Sequence, residues 1–288
     1  MAFRKRRELL RSILSGSACV RPGSVYDAIS IRIAADLGFE LGMFGGSVAS
    51  LAILGDPDIT LITLSELAEQ MRRMSRAAAL PVLVDADHGY GNALNVHRTI
   101  EELEAAGAAG ITIEDTLLPQ AFGHSDTQLI SLEEGVGKMR AALDARSDPS
   151  LVVIGRTGAA SISSLDDALT RAKAYEATGV DALFFTGIRK ASELEAITKS
   201  TKLPIILGGA PEEMSDLRYL ADQRVKIALQ GHAPFAAATQ AVHETLKALR
   251  AGQPPRALGG LASAELTGRL ARDPQWKTRG REFLGLKK

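Results

Sequence analysis

The sequence predicts a closed (β/α)8 barrel, in which eight parallel strands are each followed by a helix. Three observations point to it. A helix–glycine–strand unit recurs along the chain. About eight such units fit within about 250 residues, the usual size of this fold. No Gly-x-Gly-x-x-Gly opens the first strand-to-helix turn, which weakens the open-sheet, dinucleotide-binding alternative.

The elements follow in order. MAFRKRRELLRSIL at the N-terminus is basic and amphipathic, with no long apolar run or small-residue cleavage site after it. It reads as a first surface helix and not as a signal peptide. Strands are expected near 18–21 and 40–44, with a helix over 26–37 between them. The repeat is clearest as AADLGFELGMFGG at 34–46, LEAAGAAGITIED at 103–115 and YEATGVDALFFTG at 175–187. In these, Gly38, Gly107 and Gly179 stand where a helix end needs a left-handed residue. The residues that follow are small or β-forming, as a strand buried on both faces requires. Helix 64–79 leads to strand 82–86, and helix 94–106 leads to strand 110–114. Helix 131–145 precedes strand 151–156, helix 165–178 precedes 181–186, and helix 190–199 precedes 204–208. Helix 212–221 precedes strand 225–230, where a degenerate copy of the repeat carries Gln223 in the glycine position. Helix 233–250 completes the eighth unit. This alternation implies a parallel sheet with right-handed crossovers. From about 252 the chain is Gly- and Pro-rich and then reads as a short helical extension, packed on the barrel or on a neighbour. With no dividing linker, residues 1–288 read as one barrel domain with an extension at about 252–288.

Composition excludes several function classes. Lys plus Arg and Asp plus Glu both number 34, so no net positive field exists to hold nucleic acid, and no basic tail to hold a membrane. No stretch approaches the roughly 18 apolar residues of a membrane span. Cys19 is the single cysteine, so no intrachain disulfide can form, which fits a reducing, cytoplasmic setting. A cytoplasmic enzyme is the expectation by exclusion.

Catalytic groups in such a barrel come from the C-terminal ends of strands. The third strand ends in PVLVDADHGYGN, where Asp85 and Asp87 are two apart and leave the same strand face. Carboxylates that close repel unless a cation or proton lies between them. The fourth strand ends in Glu114 and Asp115. These are hard oxygen ligands without His or Cys, which suits Mg2+ or Mn2+ better than zinc. The plain alternative makes Asp85 and Asp87 turn or cap residues. Arg156 ends the fifth strand and suits a bidentate grip on a carboxylate, or a salt bridge to Glu114. Gly45, Gly46 and Ser47 end the second strand and offer free N–H groups to an oxyanion, or form a tight turn. His232 follows the eighth strand, as a site residue or a packed cap. His88 is expected to face away from Asp87. The segment 116–130, with Gly123 and His124, is long enough to act as a lid.

Taken together, GGSVAS, DADHGYGN, IEDTLLP, the Arg-Thr pair of GRTG and GHA resemble the isocitrate lyase/phosphoenolpyruvate mutase superfamily, in order from about residue 18 to 250. With EEGVGK, they resemble its oxaloacetate decarboxylase group most closely. The resemblance implies a barrel with a C-terminal helix swapped between subunits, in a dimer-of-dimers homotetramer. It implies Mg2+ on Asp85, with Asp87 and Glu114 reaching it largely through water. A small 2-oxo-dicarboxylate would be held by Gly46, Ser47, Arg156 and His232, with Arg156 and His232 catalytic. Oxaloacetate would then give pyruvate and CO2 through a metal-stabilised enolate. The lyases of the superfamily carry a cysteine on the loop after strand four; here that loop has none, which disfavours retro-aldol cleavage. Gly158 replaces the usual Asn or Asp after Arg-Thr, and LGGAPEE replaces a Tyr-Gly-Asn stretch after strand seven. Two alternatives remain at this level: C–C or P–C cleavage of another 2-oxo acid, and a non-catalytic metabolite-binding barrel. The absence of Lys and Arg from 116–130 argues against phosphonate chemistry.

Overall fold

The computed structural model describes residues 2–286. Eight strands form one parallel sheet in chain order. They are β1 (Gly23–Ser24), β2 (Gly42–Phe44), β3 (Val82–Asp85), β4 (Gly110–Glu114), β5 (Val152–Thr157), β6 (Ala182–Phe185), β7 (Ile205–Leu207) and β8 (Val225–Ala228). Val20 closes the ring by pairing in parallel with Ile227. Its N–H donates to Lys226 O, and Ala228 N–H donates to Val20 O.

By its contacts the chain divides into two compact units, Met1–His232 and Ala233–Lys288. The first holds the barrel with α1 (Ala2–Ser15), α2 (Ala28–Asp36), α3 (Gly46–Ile53), α4 (Leu64–Ala77), α5 (Ala93–Ala106), α6 (Leu132–Ala145), α7 (Ala159–Ile162), α8 (Leu165–Glu176), α9 (Ala191–Ser200) and α10 (Leu217–Asp222). The second consists of α11 (Ala233–Arg250), α12 (Ala264–Ala271) and α13 (Asp273–Leu284) with their connections. None of the described helices is long and apolar enough to cross a membrane.

Period-2 alternation sorts the strand side chains. Met43, Leu83, Val152, Ile154, Phe184, Ile206 and Ile227 point inward and form one buried cluster. That filled interior is the core expected of a small barrel. Continuing the alternation upward brings Asp85, Glu114 and Arg156 to the rim.

The helix ends follow the expected chemistry. Gly38, Gly107 and Gly179 have φ of 83°, 97° and 94°. In the degenerate copy the left-handed turn moves one residue along, to Arg224 at φ 57°. Several elements depart from expectation. The first strand lies at Gly23–Ser24, later than 18–21, because Gly23 N–H pairs with Leu41 O; only Val20 of the expected run joins the ring. Helix α1 is no mere surface helix: Leu10 and Leu14 join the barrel's core cluster. Its buried Arg7 donates to Ala108 O and Glu104 O and pairs with Asp148, while Arg11 donates to Pro149 O and Leu151 O. A further departure is two unforeseen short helices, α3 and α7, which sit directly after β2 and β5.

Candidate active site

Asp85, Asp87, Glu114, Arg156, Ser47 and His232 all line one cavity of about 240 Å3 at the strands' C-terminal ends. Each arrives by a local cause. Asp85 ends β3, and its Oδ1 accepts from Thr112 Oγ1 at 3.0 Å on β4 and from Asp87 N–H at 3.3 Å. Asp87 does not reach the cavity by strand alternation. The chain has already left β3, and Asp87 sits at φ 46°, a left-handed turn that swings its carboxylate back over the rim. Glu114 ends β4 opposite Arg156 in the β4–β5 register.

Arg156 Nη1 donates to Asp85 Oδ2, and Nε lies 3.0 Å from Glu114 Oε2, close enough for an ion pair but out of line for a hydrogen bond. Its guanidinium carbon stands 5.1 Å from the centre of the Phe184 ring, which sets the plane of the fork. The salt-bridge alternative for Arg156 is therefore present within the cavity itself.

Two glycines exist to let functional groups approach. A Cβ on Gly45 would stand 2.7 Å from His232 Cε1 and Nε2, and one on Gly46 would stand 2.5 Å from Asp87 Oδ1. Gly45 is the N-cap of α3 and makes no side-chain cap bond, so the N–H groups of the first turn stay available. Gly46 is buried against Asp87, while Gly45 and Ser47 line the cavity. His232 is held from behind, its Nδ1 2.7 Å from Ser24 Oγ. Gly45→Ala is expected to push the imidazole aside and lower kcat/KM roughly 100-fold, the scale of a 1 Å misplacement. Steady-state kinetics beside an unchanged melting curve check this.

Asp115 corrects the acidic set read from the sequence. It is fully buried on the other face of β4, accepting from Tyr175 Oη at 2.7 Å and Arg171 Nη1 at 3.1 Å. Asp58, in the loop between α3 and α4, was missed: it lines the cavity beside Asp85. Its setting in GDPDIT reads as an ordinary turn, and only the position of that loop above β2 marks it. Thr186 was missed too. It lines the cavity, and its side chain fills the space next to Gly158 and Gly208, where a Cβ would meet it at 3.1 and 2.7 Å. His88 is buried away from the cavity, and burial with Lys138 nearby pulls its imidazole down to about 4. His124 is exposed; of the 116–130 segment, Leu118 lines the cavity.

The cavity holds four carboxylates against one guanidinium. Burial, then repulsion from Asp85, Glu114 and Asp58, pushes Asp87 well above the usual carboxylate range. Burial raises Glu114 as well, opposed by Arg156 and reinforced by Asp85. Burial lowers His232, against the pull of Asp85 and Asp58, which favours the neutral ring. Among the described residues no three His, Cys, Asp or Glu side chains converge as direct ligands. Arg156 lies between two of the acids, so a fully direct three-carboxylate shell is not formed. The donor chemistry nonetheless fits one divalent cation bridged partly by water. All donors are hard oxygens, the negative charge exceeds the positive, and Asp87 Oδ2 is buried with no partner.

A family model described as phosphoenolpyruvate phosphomutase matches residues 10–250. The chain is 77% identical over 288 residues to an oxaloacetate decarboxylase of Bradyrhizobium diazoefficiens, covering 100% of both. It is 72% identical over 288 residues to an oxaloacetate decarboxylase of Rhodopseudomonas palustris, again covering 100% of both. Among solved structures it resembles phosphonopyruvate hydrolase in complex with oxalate and Mg2+. That match has a TM-score of 0.86 and 28% identity, covering 97% of this chain and 99% of the other.

Proposed function

The chain belongs to the phosphoenolpyruvate phosphomutase family, and on that premise we infer that it decarboxylates oxaloacetate to pyruvate and CO2. Its full-length likeness to two oxaloacetate decarboxylases carries the reading, and the cavity supports it. In the reaction the C3–C4 bond breaks and C4 leaves as CO2. The electron pair stays on the three-carbon fragment as an enolate, and a proton then arrives at C3.

Asp85, Asp87 and Glu114 would hold Mg2+, or Mn2+ in its place. When bound, the ion supplies positive charge beside the 2-oxo oxygen, where charge develops. The remaining work falls to the chain. Arg156 carries five N–H donors and spends one on Asp85, which leaves others for a substrate carboxylate. Ser47 and the free N–H groups of Gly46 and its neighbours stand at the positive end of α3, ready for an oxyanion. His232, fixed by Ser24, can orient the departing carboxylate or hand on the C3 proton.

The 116–130 segment carries neither the cysteine of the superfamily's retro-aldol lyases nor the Lys or Arg that phosphonate handling would call for. Cys19 is buried and does not line the cavity, so it cannot serve as the acid of such a lyase. The same reading carries a homotetramer with exchanged C-terminal helices in a reducing cytoplasm, which native mass spectrometry can test.

Pyruvate release from oxaloacetate, with the spontaneous metal-catalysed decay subtracted, tests the reading. The purified protein is expected to release pyruvate with Mg2+ and to lose that activity in EDTA. A rate no higher than the protein-free control would overturn it.

A further inference from the structure

The EEGVGK motif at 133–138 lies on α6, outside the cavity, yet it contains one of the largest fully buried side chains, that of Lys138, at 2% exposure. Its Nζ donates to His88 O at 2.9 Å. His88 O belongs to the turn that carries Asp87, and that turn is unusual. Asp87, Gly89, Tyr90 and Gly91 have φ of 46°, 81°, 61° and 146°, four left-handed residues within five. L-residues avoid that region, so such a run persists only where its surroundings over-determine it. The surroundings do so through carbonyls. Asp87 O accepts from Glu114 N–H at 2.8 Å, His88 O from Lys138 Nζ, and Gly89 O from Thr99 Oγ1 at 3.0 Å. Of these three donors only Lys138 brings a charge: burial works against its ammonium, and Glu134, Glu114 and Asp115 favour it.

Gly135 explains how α6 comes near enough. A Cβ there would stand 2.3 Å from Tyr175 Oη, which is itself committed to Asp115. A glycine one turn before Lys138 therefore lets the helix close on the barrel, and the lysine spans the remaining gap.

We propose that Lys138 is a positioning residue for the cation site: through the His88 carbonyl it holds the left-handed turn that aims Asp87 into the cavity. This rests on the divalent-cation reading above, and it assigns to EEGVGK a role that the reaction chemistry leaves unassigned. Outer partners of metal ligands characteristically change metal affinity by about 10–100-fold when removed.

The test is Mn2+ binding to the metal-stripped full chain, read by electron paramagnetic resonance of the free ion, with no substrate present. Lys138→Met removes donor and charge at similar volume and is expected to weaken Mn2+ binding at least 10-fold. Ser75→Ala removes a remote buried hydrogen bond, from Ser75 Oγ to Ala106 O, and is expected to bind Mn2+ as the parent does. That control separates positioning from general loosening. A folded Lys138→Met with the parent's Mn2+ affinity overturns the proposal. If that variant does not fold, Lys138→Gln, which keeps a donor without the charge, is read the same way: weaker binding supports the proposal and equal binding overturns it. A parent chain that binds no Mn2+ would instead remove the divalent-cation reading itself.

Discussion

Asp85→Ala is expected to lower kcat/KM for oxaloacetate by about 1,000-fold or more while leaving the protein folded. Asp85 is the hub of the cavity: Thr112 and the Asp87 N–H fix one oxygen, and Arg156 takes the other. On the proposed reading the cation would lose a ligand, and Arg156 loses the carboxylate that takes its Nη1. Removing a single oxyanion donor costs about 100–1,000-fold in kcat, and a metal ligand that also orients an arginine should exceed that. Fold stability should change little, because deleting one of four crowded carboxylates relieves repulsion as well as breaking an ion pair. The melting temperature is expected within about 4 °C of the parent, on the order of 1 kcal/mol. His232→Ala serves as the comparison. It removes one orienting or proton-handling group and is expected to cost roughly 100-fold, less than Asp85→Ala. Equal losses, or full Asp85→Ala activity in metal-free buffer, would contradict this ranking.

Asp115→Ala is expected to do the opposite, destabilising the fold by about 3–5 kcal/mol and sparing the chemistry. Asp115 is fully buried and compensates Arg171, which also donates to Ile130 O and pairs with Asp167. Tyr175 Oη depends on the same carboxylate. Truncation leaves a buried guanidinium and a buried phenol short of a partner. Breaking a buried pair from one side is costly because the other charge stays behind. The melting temperature should fall by roughly 10 °C, while the folded enzyme at low temperature keeps most of its kcat/KM. Thermal unfolding and low-temperature kinetics on one preparation check both parts. A stable but inactive Asp115→Ala would place this residue in the chemistry after all.

Much of the fold was legible because its signals are local and periodic. The three Ala-x-x-Gly or Ala-Ala-Gly helix ends became left-handed caps, and the strands after them appeared within two residues of their expected places. The rim was legible for the same reason: Val152, Ile154 and Arg156 alternate inward along β5, so an arginine after that apolar run had to emerge at the top. Where alternation was not followed through, the reading slipped. Glu114 and Asp115 are adjacent, so one must face the barrel interior and the other the helices; grouping both as ligands ignored the two-residue period. Asp87 reached the cavity for a reason that no period contains, a backbone turn stabilised from α5 and α6. The GGSVAS run read as a loop because paired glycines weaken a helix. It is the opening of α3, where absent side chains make room for His232 and Asp87. Arg7 and Arg11 made α1 look like a surface helix, yet they are spent on buried backbone carbonyls that no linear pattern announces.

The proposed reaction requires a divalent cation gathered by Asp85, Asp87 and Glu114 at the mouth of the barrel. A crystal structure of the protein with Mg2+ and oxalate, which mimics the enolate of pyruvate, tests it most directly. One ion is expected in the cavity, bound to Asp85 and to two oxalate oxygens, with Asp87 and Glu114 reaching it through water and Arg156 on the oxalate. Oxalate bound there with no ion, or an ion held away from Asp85, would contradict it.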